Sequence, residues 1–180
     1  MDIQETSIPG VKLLVPRVFP DSRGYFLENY RENSLGVNFV QDNFSHSTRG
    51  AIRGMHVQSP FPQAKMVFVT QGCVLDIALD VRVGSPTFGQ HVAAELSDEN
   101  HHQLFIPEGF AHGFCVLSET ADFIYKCSDY YHPETEMGIR FDDPDLALPW
   151  PDVPYIVSDK DRVHPPLRDI DPDLLPRYLA

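Results

Sequence analysis

Leu75-Asp76-Ile77-Ala78-Leu79-Asp80-Val81-Arg82 alternates without a break: Leu75, Ile77, Leu79 and Val81 are apolar, while Asp76, Ala78, Asp80 and Arg82 take the positions between them. Successive side chains of a strand point to opposite faces, so this period of two predicts a sheet with one core face and one more polar face. The pattern continues on both sides. Residues 66–70 form a preceding β-rich run, and Gln71-Gly72 supplies a tight turn between the two. Further strands are predicted over 12–15, 39–45, 90–96, 103–106, 113–117 and 121–129, with Gly and Pro punctuating the gaps at 84–89 and 107–109. Helix is scarce, with short pieces expected after Asn33 or near Pro172. Half of the 16 prolines lie beyond Asp143, at positions 144, 149, 151, 154, 165, 166, 172 and 176. Proline breaks both helix and ladder, so the tail is expected to wrap the domain as extended segments and single turns. Many short strands at this spacing predict an all-β sandwich or barrel.

A chain of 180 residues fits one domain, 1–180, with a sizeable core, and it shows neither repeat nor linker. The net charge of −12 disfavours nucleic acid and anionic membranes as partners. It does not exclude a small anionic ligand, because local potential depends on a few nearby residues; Arg23, Arg53, Lys65 and Lys160 are the cations of interest. No apolar run approaches the roughly 20 residues of a membrane helix. The N-terminus, Met1-Asp2-Ile3-Gln4-Glu5, is acidic and unlike a signal peptide. Cys73, Cys115 and Cys127 form no C-x-x-C and cannot all pair, which fits reduced thiols in the cytoplasm; Cys115 and Cys127 read as small core residues.

Several polar residues stand in apolar surroundings. Arg53-Gly54-Met55-His56-Val57-Gln58, followed by Lys65, gathers a fixed cation, an imidazole that titrates near neutral pH and a second cation in a segment that reads as sheet. Phe19 to Glu28 brings Arg23 and Glu28 into an aromatic stretch. Gln41-Asp42-Asn43 interrupts a strand, His112 sits in a Gly-flanked apolar turn, and Tyr125 places a phenol in an alternating run. Each has a plain structural reading, as a turn residue, a hydrogen-bonded core histidine or an ordinary β-former. Together they predict a site inside the barrel, since core-facing polar groups need partners. There is no His-x-His, no Gly-x-Ser-x-Gly and no Gly-rich phosphate loop, so metal, serine-hydrolase and nucleotide-triphosphate chemistry have no sequence signature here. His101-His102 reads as the surface part of a strand.

The chain resembles the dTDP-4-dehydrorhamnose 3,5-epimerase family between about Ile8 and Asp161. The resemblance lies in Arg-Gly-x-His-x-Gln at 53–58, Ser85-Pro86-Thr87-Phe88-Gly89-Gln90, residues 106–114, Tyr125-Lys126 with Tyr130-Tyr131, and Ser158-Asp159-Lys160-Asp161. It implies a cupin-like jelly-roll barrel with short peripheral helices. It also implies a sugar-nucleotide 3,5-epimerase that needs no metal or nicotinamide, because the substrate's C4 ketone already acidifies the hydrogens at C3 and C5. By motif, His56 is implied as the base, Asp161 as its orienting partner, Tyr125 as the opposing acid and Lys65 as the stabiliser of the enolate oxygen. Arg23, Glu28, Gln41, Asn43, Arg53, His112, Glu136 and Lys160 are implied to contact the nucleotide-sugar. Phe19, Phe26 and Tyr131 are implied to sandwich the base or cover the sugar. Family members are usually homodimers, which would let Arg23 and Glu28 serve the partner's site. Ala64, Val57 and His91 replace residues that are often Gly, aromatic and Trp in the family.

Three other readings compete. A single-centre epimerase would use the same machinery on a related substrate. A metal-dependent cupin would use His46, His56 and His112. A non-catalytic sugar-binding module would not require an acid and a base on opposite faces.

Overall fold

The computed structural model describes residues 1–179. Its strands are β1 (Asp2–Glu5), β2 (Lys12–Val15), β3 (Val18–Asp21), β4 (Gly24–Leu27), β5 (Gln41–Thr48), β6 (Ala51–Gln58), β7 (Lys65–Gln71), β8 (Cys73–Asp80), β9 (His91–Ser97), β10 (Gln103–Ile106), β11 (Phe110–Val116), β12 (Thr120–Cys127), β13 (Glu136–Gly138) and β14 (Ile156–Val157). One sheet runs β1-β2-β10-β7-β12-β5; the other runs β13-β6-β11-β8-β9, with β14 parallel along β6. The β3–β4 hairpin stands apart from both. Val67, Val69, Leu104 and Phe123 of the first sheet meet Val74, Ala78, Val92 and Phe114 of the second in one core. Two antiparallel sheets closed on each other in this way form a cupin-like jelly roll, in line with the expected all-β barrel.

The alternating stretch 75–82 is buried on both sides. Asp76 and Asp80 have no exposed surface. The even positions, read as the polar face, look between the sheets: Val74 and Ala78 join the central core, and Asp76 Oδ2 lies 2.8 Å from His112 Nε2. Asp80 accepts hydrogen bonds from Arg82, Ser85 and Thr87. The odd positions Ile77, Leu79 and Val81 pack on the outside of that sheet, under Ile139, Leu146, Leu167, Ile170 and Leu175 of the tail. Burying a Leu or Ile contributes about 1.5–3 kcal/mol, so these residues bind the proline-rich tail to the barrel. The tail wraps the domain, as expected, and it covers β6, β11 and β8, while the edge strand β9 stays exposed at Ala93 and Glu95.

Helix is confined to single turns. The turn α1 (Asp159–Arg162) begins at Ser158, whose Oγ accepts the Asp161 backbone N–H at 3.1 Å. Short 3₁₀ turns occupy Glu32–Ser34 and Leu167–Asp169. No helix forms near Pro172, where successive turns bond Leu174 and Leu175 back to Asp171 and Pro172. His101 and His102 lie in the connection after β9 rather than on a strand, and the His101 ring meets that of Tyr25 at 4.8 Å. Among the described residues, no helix is long and apolar enough to cross a membrane.

One irregularity positions the site. On β11, His112 pairs with His56 and Phe114 with Arg53, so two steps on β11 oppose three on β6. Such a bulge shifts the phase of alternation. It lets Arg53 and His56, three apart in sequence, line the same cavity. Gly54 lies within the bulge at φ +137°, and a Cβ there would come 2.5 Å from Gly113 Cα and 2.8 Å from the His112 carbonyl oxygen. Gly54→Ala is expected to lower the unfolding free energy by about 2–4 kcal/mol, through overpacking plus left-handed strain. Urea unfolding of the variant would read this directly, and an unchanged midpoint would mean that the two strands are not held this closely.

Candidate active site

A cavity of about 760 Å³ opens between the two sheets. Its first wall is built by alternation. Gln41, Asn43, Ser45 and Ser47 of β5, Phe123, Tyr125 and Cys127 of β12, and Lys65 of β7 all line it. Cross-strand register sets Tyr125 beside Asn43, and Cys127 between Gln41 and Lys65. The second wall carries Arg53 and His56 of β6, His112 of β11 and Glu136 of β13, with Lys160 and Asp161 of α1 at its edge. The two walls therefore present His56 and Tyr125 from opposite sheets.

His56 Nε2 lies 2.7 Å from Asp161 Oδ1. An ionised carboxylate only accepts, so Nε2 donates and Nδ1 keeps the free lone pair. That nitrogen lies 4.0 Å from Glu136 Oε1. Asp161 is 4% exposed. Burial pushes its pKa up, but the hydrogen bond and charge of His56, the Gly54 N–H and the Ser158 hydroxyl outweigh it, and the carboxyl sits below its ordinary value. Glu136 behaves alike: burial raises it, whereas its bond to Lys160, the His56 charge and the Tyr131 hydroxyl bring it down. Lys160 donates to Glu136, and that bond raises the lysine's pKa.

Lys65 is half-buried on the cavity wall, and desolvation lowers its pKa against the opposing influence of Cys127, Glu136 and Asp76. Burial is also the first cause that raises Tyr125, which keeps its phenol protonated. The site thus holds a lysine whose charge is costly in a poorly solvated space and a hydroxyl that retains its proton. His112 forms a second His–Asp pair with Asp76 and is 8% exposed. Arg53 Nε donates to Ser47 Oγ at 3.0 Å. Gln41 Nε2 donates to Asn43 Oδ1 at 3.0 Å, while its carbonyl accepts the Tyr131 backbone N–H. The Tyr131 hydroxyl donates to Glu136 at 3.2 Å.

Of the residues singled out in the sequence, Gln41, Asn43, Arg53, His56, Lys65, His112, Tyr125, Tyr131, Glu136, Lys160 and Asp161 meet here. Phe19, Arg23, Phe26 and Glu28 do not. They lie on or beside the β3–β4 hairpin, which leaves the sheets instead of joining the barrel wall. Arg23 is paired with Asp21 and Glu28 with Arg31, while Phe19 and Phe26 are 46% and 69% exposed. Within one chain they form no part of the cavity. Ser47 and Cys127 were missed, although each lies on the same alternating face as Asn43 or Tyr125; Cys127 is both a core residue and a lining residue. His164 was missed as well, and its place beside His56 depends on tertiary packing alone. The His46, His56 and His112 set does not assemble: His46 pairs with Asp122 and His112 with Asp76. Among the described residues, the group of such side chains close enough to share one ion is His56, Asp161 and His164.

Comparison with known proteins meets this geometry. A family model described as dTDP-4-dehydrorhamnose 3,5-epimerase matches residues 5–169. A protein of that name from Methanothermobacter thermautotrophicus is 47% identical over 175 residues, covering 92% of this chain and 94% of the relative. One from Neisseria gonorrhoeae is 51% identical over 156 residues; that match covers 84% of this chain but only 48% of the longer relative. Among solved structures, a dTDP-6-deoxy-D-glucose-3,5-epimerase from Legionella pneumophila, in complex with dTDP-4-keto-L-rhamnose, superposes with a TM-score of 0.96 at 50% identity over 99% of both chains. Fold, motif order and sequence identity thus coincide along nearly the whole length, and the chain belongs to the dTDP-4-dehydrorhamnose 3,5-epimerase family.

Proposed function

We propose that this chain inverts C3 and C5 of dTDP-4-dehydro-6-deoxy-D-glucose to give dTDP-4-dehydro-L-rhamnose, a step in L-rhamnose and deoxysugar biosynthesis, working in the cytoplasm as a single domain over 1–180. The observation that carries this reading is the pairing of His56 with Asp161 on one wall of a cavity whose other wall holds Tyr125 and Lys65. His56 Nδ1 takes the proton from a carbon next to the ketone. The C–H electron pair becomes the new C=C bond, and the carbonyl pair moves onto the C4 oxygen. Asp161 holds the imidazole in the required tautomer and stabilises the imidazolium. Lys65 stabilises the negative charge on the C4 oxygen. Tyr125 returns a proton from the opposite side, so the carbon inverts.

Arg53 suits the diphosphate, since a guanidinium offers parallel hydrogen bonds. Gln41, Asn43, His112, Tyr131, Glu136 and Lys160 surround the sugar-nucleotide. Arg23, Glu28, Phe19 and Phe26 complete the site of a second copy in a homodimer, which fits an exposed hairpin that carries two aromatic rings. The nucleotide-sugar bound in the Legionella relative supports this class of substrate.

The test is incubation with dTDP-4-keto-6-deoxy-glucose in heavy water, with deuterium read at C3 and C5 by NMR and the product trapped by a reductase. Label at both carbons with trapped L-sugar is the expected result. Label at one carbon would establish a single-centre epimerase, and no label would reject the reading. Tyr125→Phe is expected to slow inversion by about 100-fold, in the range of general-acid contributions, while washing in of deuterium at the first carbon is impaired less. Equal loss of both, or parental inversion, would assign the returning proton to another group.

A further inference from the structure

His164 has no part in the chemistry above, yet it lies against the base. Its ring meets the His56 ring edge-on, with centroids 5.9 Å apart. It occupies the space that a side chain at 138 would need: a Cβ on Gly138 would fall 2.1 Å from His164 Nε2. Gly138 is the register partner of His56 on β13, so the glycine opens a seat for a second imidazole beside the first. His164 Nε2 is fully buried and makes no hydrogen bond; its nearest acidic oxygen, Asp161 Oδ1, is 3.5 Å away. A buried ring nitrogen without a partner calls for an explanation, and an ion is one of few.

The geometry points to an inhibitory zinc site formed by His56 Nε2, Asp161 Oδ1 and His164 Nε2. Each of the three residues offers a ligand atom within 4.8 Å of those of the other two. Zinc bonds of about 2.0–2.1 Å place tetrahedral ligand atoms about 3.3 Å apart. The His164–Asp161 separation of 3.5 Å already matches. The His56–Asp161 separation of 2.7 Å must open by a few tenths of an ångström once the shared proton leaves. Two imidazoles and one carboxylate are a donor set that zinc takes readily, with water in the fourth position. Lys160 does not compete for the site, because Glu136 holds its ammonium.

The consequence for activity rests on His56 being the base. Neutral imidazole has one N–H and one lone pair. Bound to Asp161 by its N–H, His56 offers the Nδ1 lone pair to the substrate. With zinc on Nε2, the remaining proton sits on Nδ1, and the lone pair that takes the substrate proton is gone. The same three residues therefore form either an active base or a metal site, never both.

The test uses chelator-treated full-length protein titrated with zinc chloride, with binding read by calorimetry and C3/C5 hydrogen exchange read in parallel. The expected result is one zinc per chain whose binding stops exchange, with activity restored by EDTA. His164→Phe removes a ligand and keeps a ring in the seat. It is expected to weaken that zinc more than about 100-fold, since loss of a mere outer-shell partner already costs 10–100-fold. Equal zinc affinity in the two proteins would overturn the inference by placing the ion on other histidines or cysteines. Diffraction at the zinc absorption edge on the unaltered protein decides the matter even if the variant does not fold: a peak between the three residues supports the site, and a water or no peak under excess zinc overturns it. Zinc bound there in a protein that never exchanges deuterium would sink the epimerase reading and leave the metal site standing.

Discussion

His56→Ala is expected to lower hydrogen exchange at C3 and C5 by about 10²–10⁴-fold, the range that positioned acid–base groups contribute. The prediction discriminates because the cavity holds two imidazoles with carboxylate partners. His56 is bonded to Asp161 and His112 to Asp76, and the two histidines face each other across paired strands. Exposure separates them: 26% of the His56 side chain is open, against 8% for His112, whose ring also lies 6.1 Å from Phe123 in a stacked arrangement. A base must reach a substrate carbon, and His56 is the one placed to do so. Removing its ring leaves Asp161 buried and partly unpaired, which costs stability of its own. His56→Gln keeps a donor for Asp161 but cannot take a proton, so it separates loss of chemistry from loss of fold. Circular dichroism and substrate binding should be close to parental for His56→Gln, with exchange lost. Retained exchange in both variants, with loss in His112→Ala instead, would move the base to the other pair.

Lys65→Met is expected to reduce kcat by about 10²–10³-fold with a smaller change in KM, because negative charge at the C4 oxygen develops mainly in the transition state. The magnitude is that of removing one preorganised oxyanion donor. Methionine keeps the length and apolar stem, and it relieves the burial of an ammonium group, so the variant should unfold at the same or a higher urea concentration. A variant that loses activity without losing stability is the signature of a residue held in place for chemistry. The pH profile gives an independent reading. Desolvation lowers the Lys65 pKa, and the cation exists only below that pKa. Activity therefore falls as pH rises through it, at a pH below the ordinary lysine value of about 10.4. Tyr125 is raised by its own burial, so it stays protonated over the range in which Lys65 discharges. The basic limb should move in Lys65→Arg, whose guanidinium does not titrate there, and an unmoved limb would assign it to another group.

Legibility in the sequence followed the range of the interaction involved. β2 and β10 were predicted with their observed ends, and β7, β8 and β9 to within a residue or two. β8 alternates, while β7 and β10 are short apolar runs bounded by turn residues, and both patterns are properties of consecutive residues. β1, β3, β4, β13 and β14 escaped: they are short, mostly exposed, and patterned by the strands they join. The burial of the even positions of β8 was not legible for a related reason. Its apolar side is as buried as predicted, but under a tail some 60–100 positions further along, while Asp76 and Asp80 turn inward because His112, Arg82, Ser85 and Thr87 are there to receive them.

Taken alone, the sequence determined an all-β barrel, its strand-rich order, the proline-rich wrap and, through its motifs, the family and most of the residues that meet in the cavity. These are local patterns or ordered strings of residues, and both survive in one dimension. Only the tertiary structure decided that the His56–Asp161 pair implied by the motifs closes to 2.7 Å across 105 positions, that a bulge at Gly54 turns Arg53 and His56 to the same side, and that Gly138 leaves a seat for His164. It also decided that the Phe19 to Glu28 segment leaves the barrel of its own chain. The physical reason is common to all four: a side chain's partner is set by which strands lie side by side and in what register. That choice is made by the summed burial of both sheets, and no short stretch of sequence contains it.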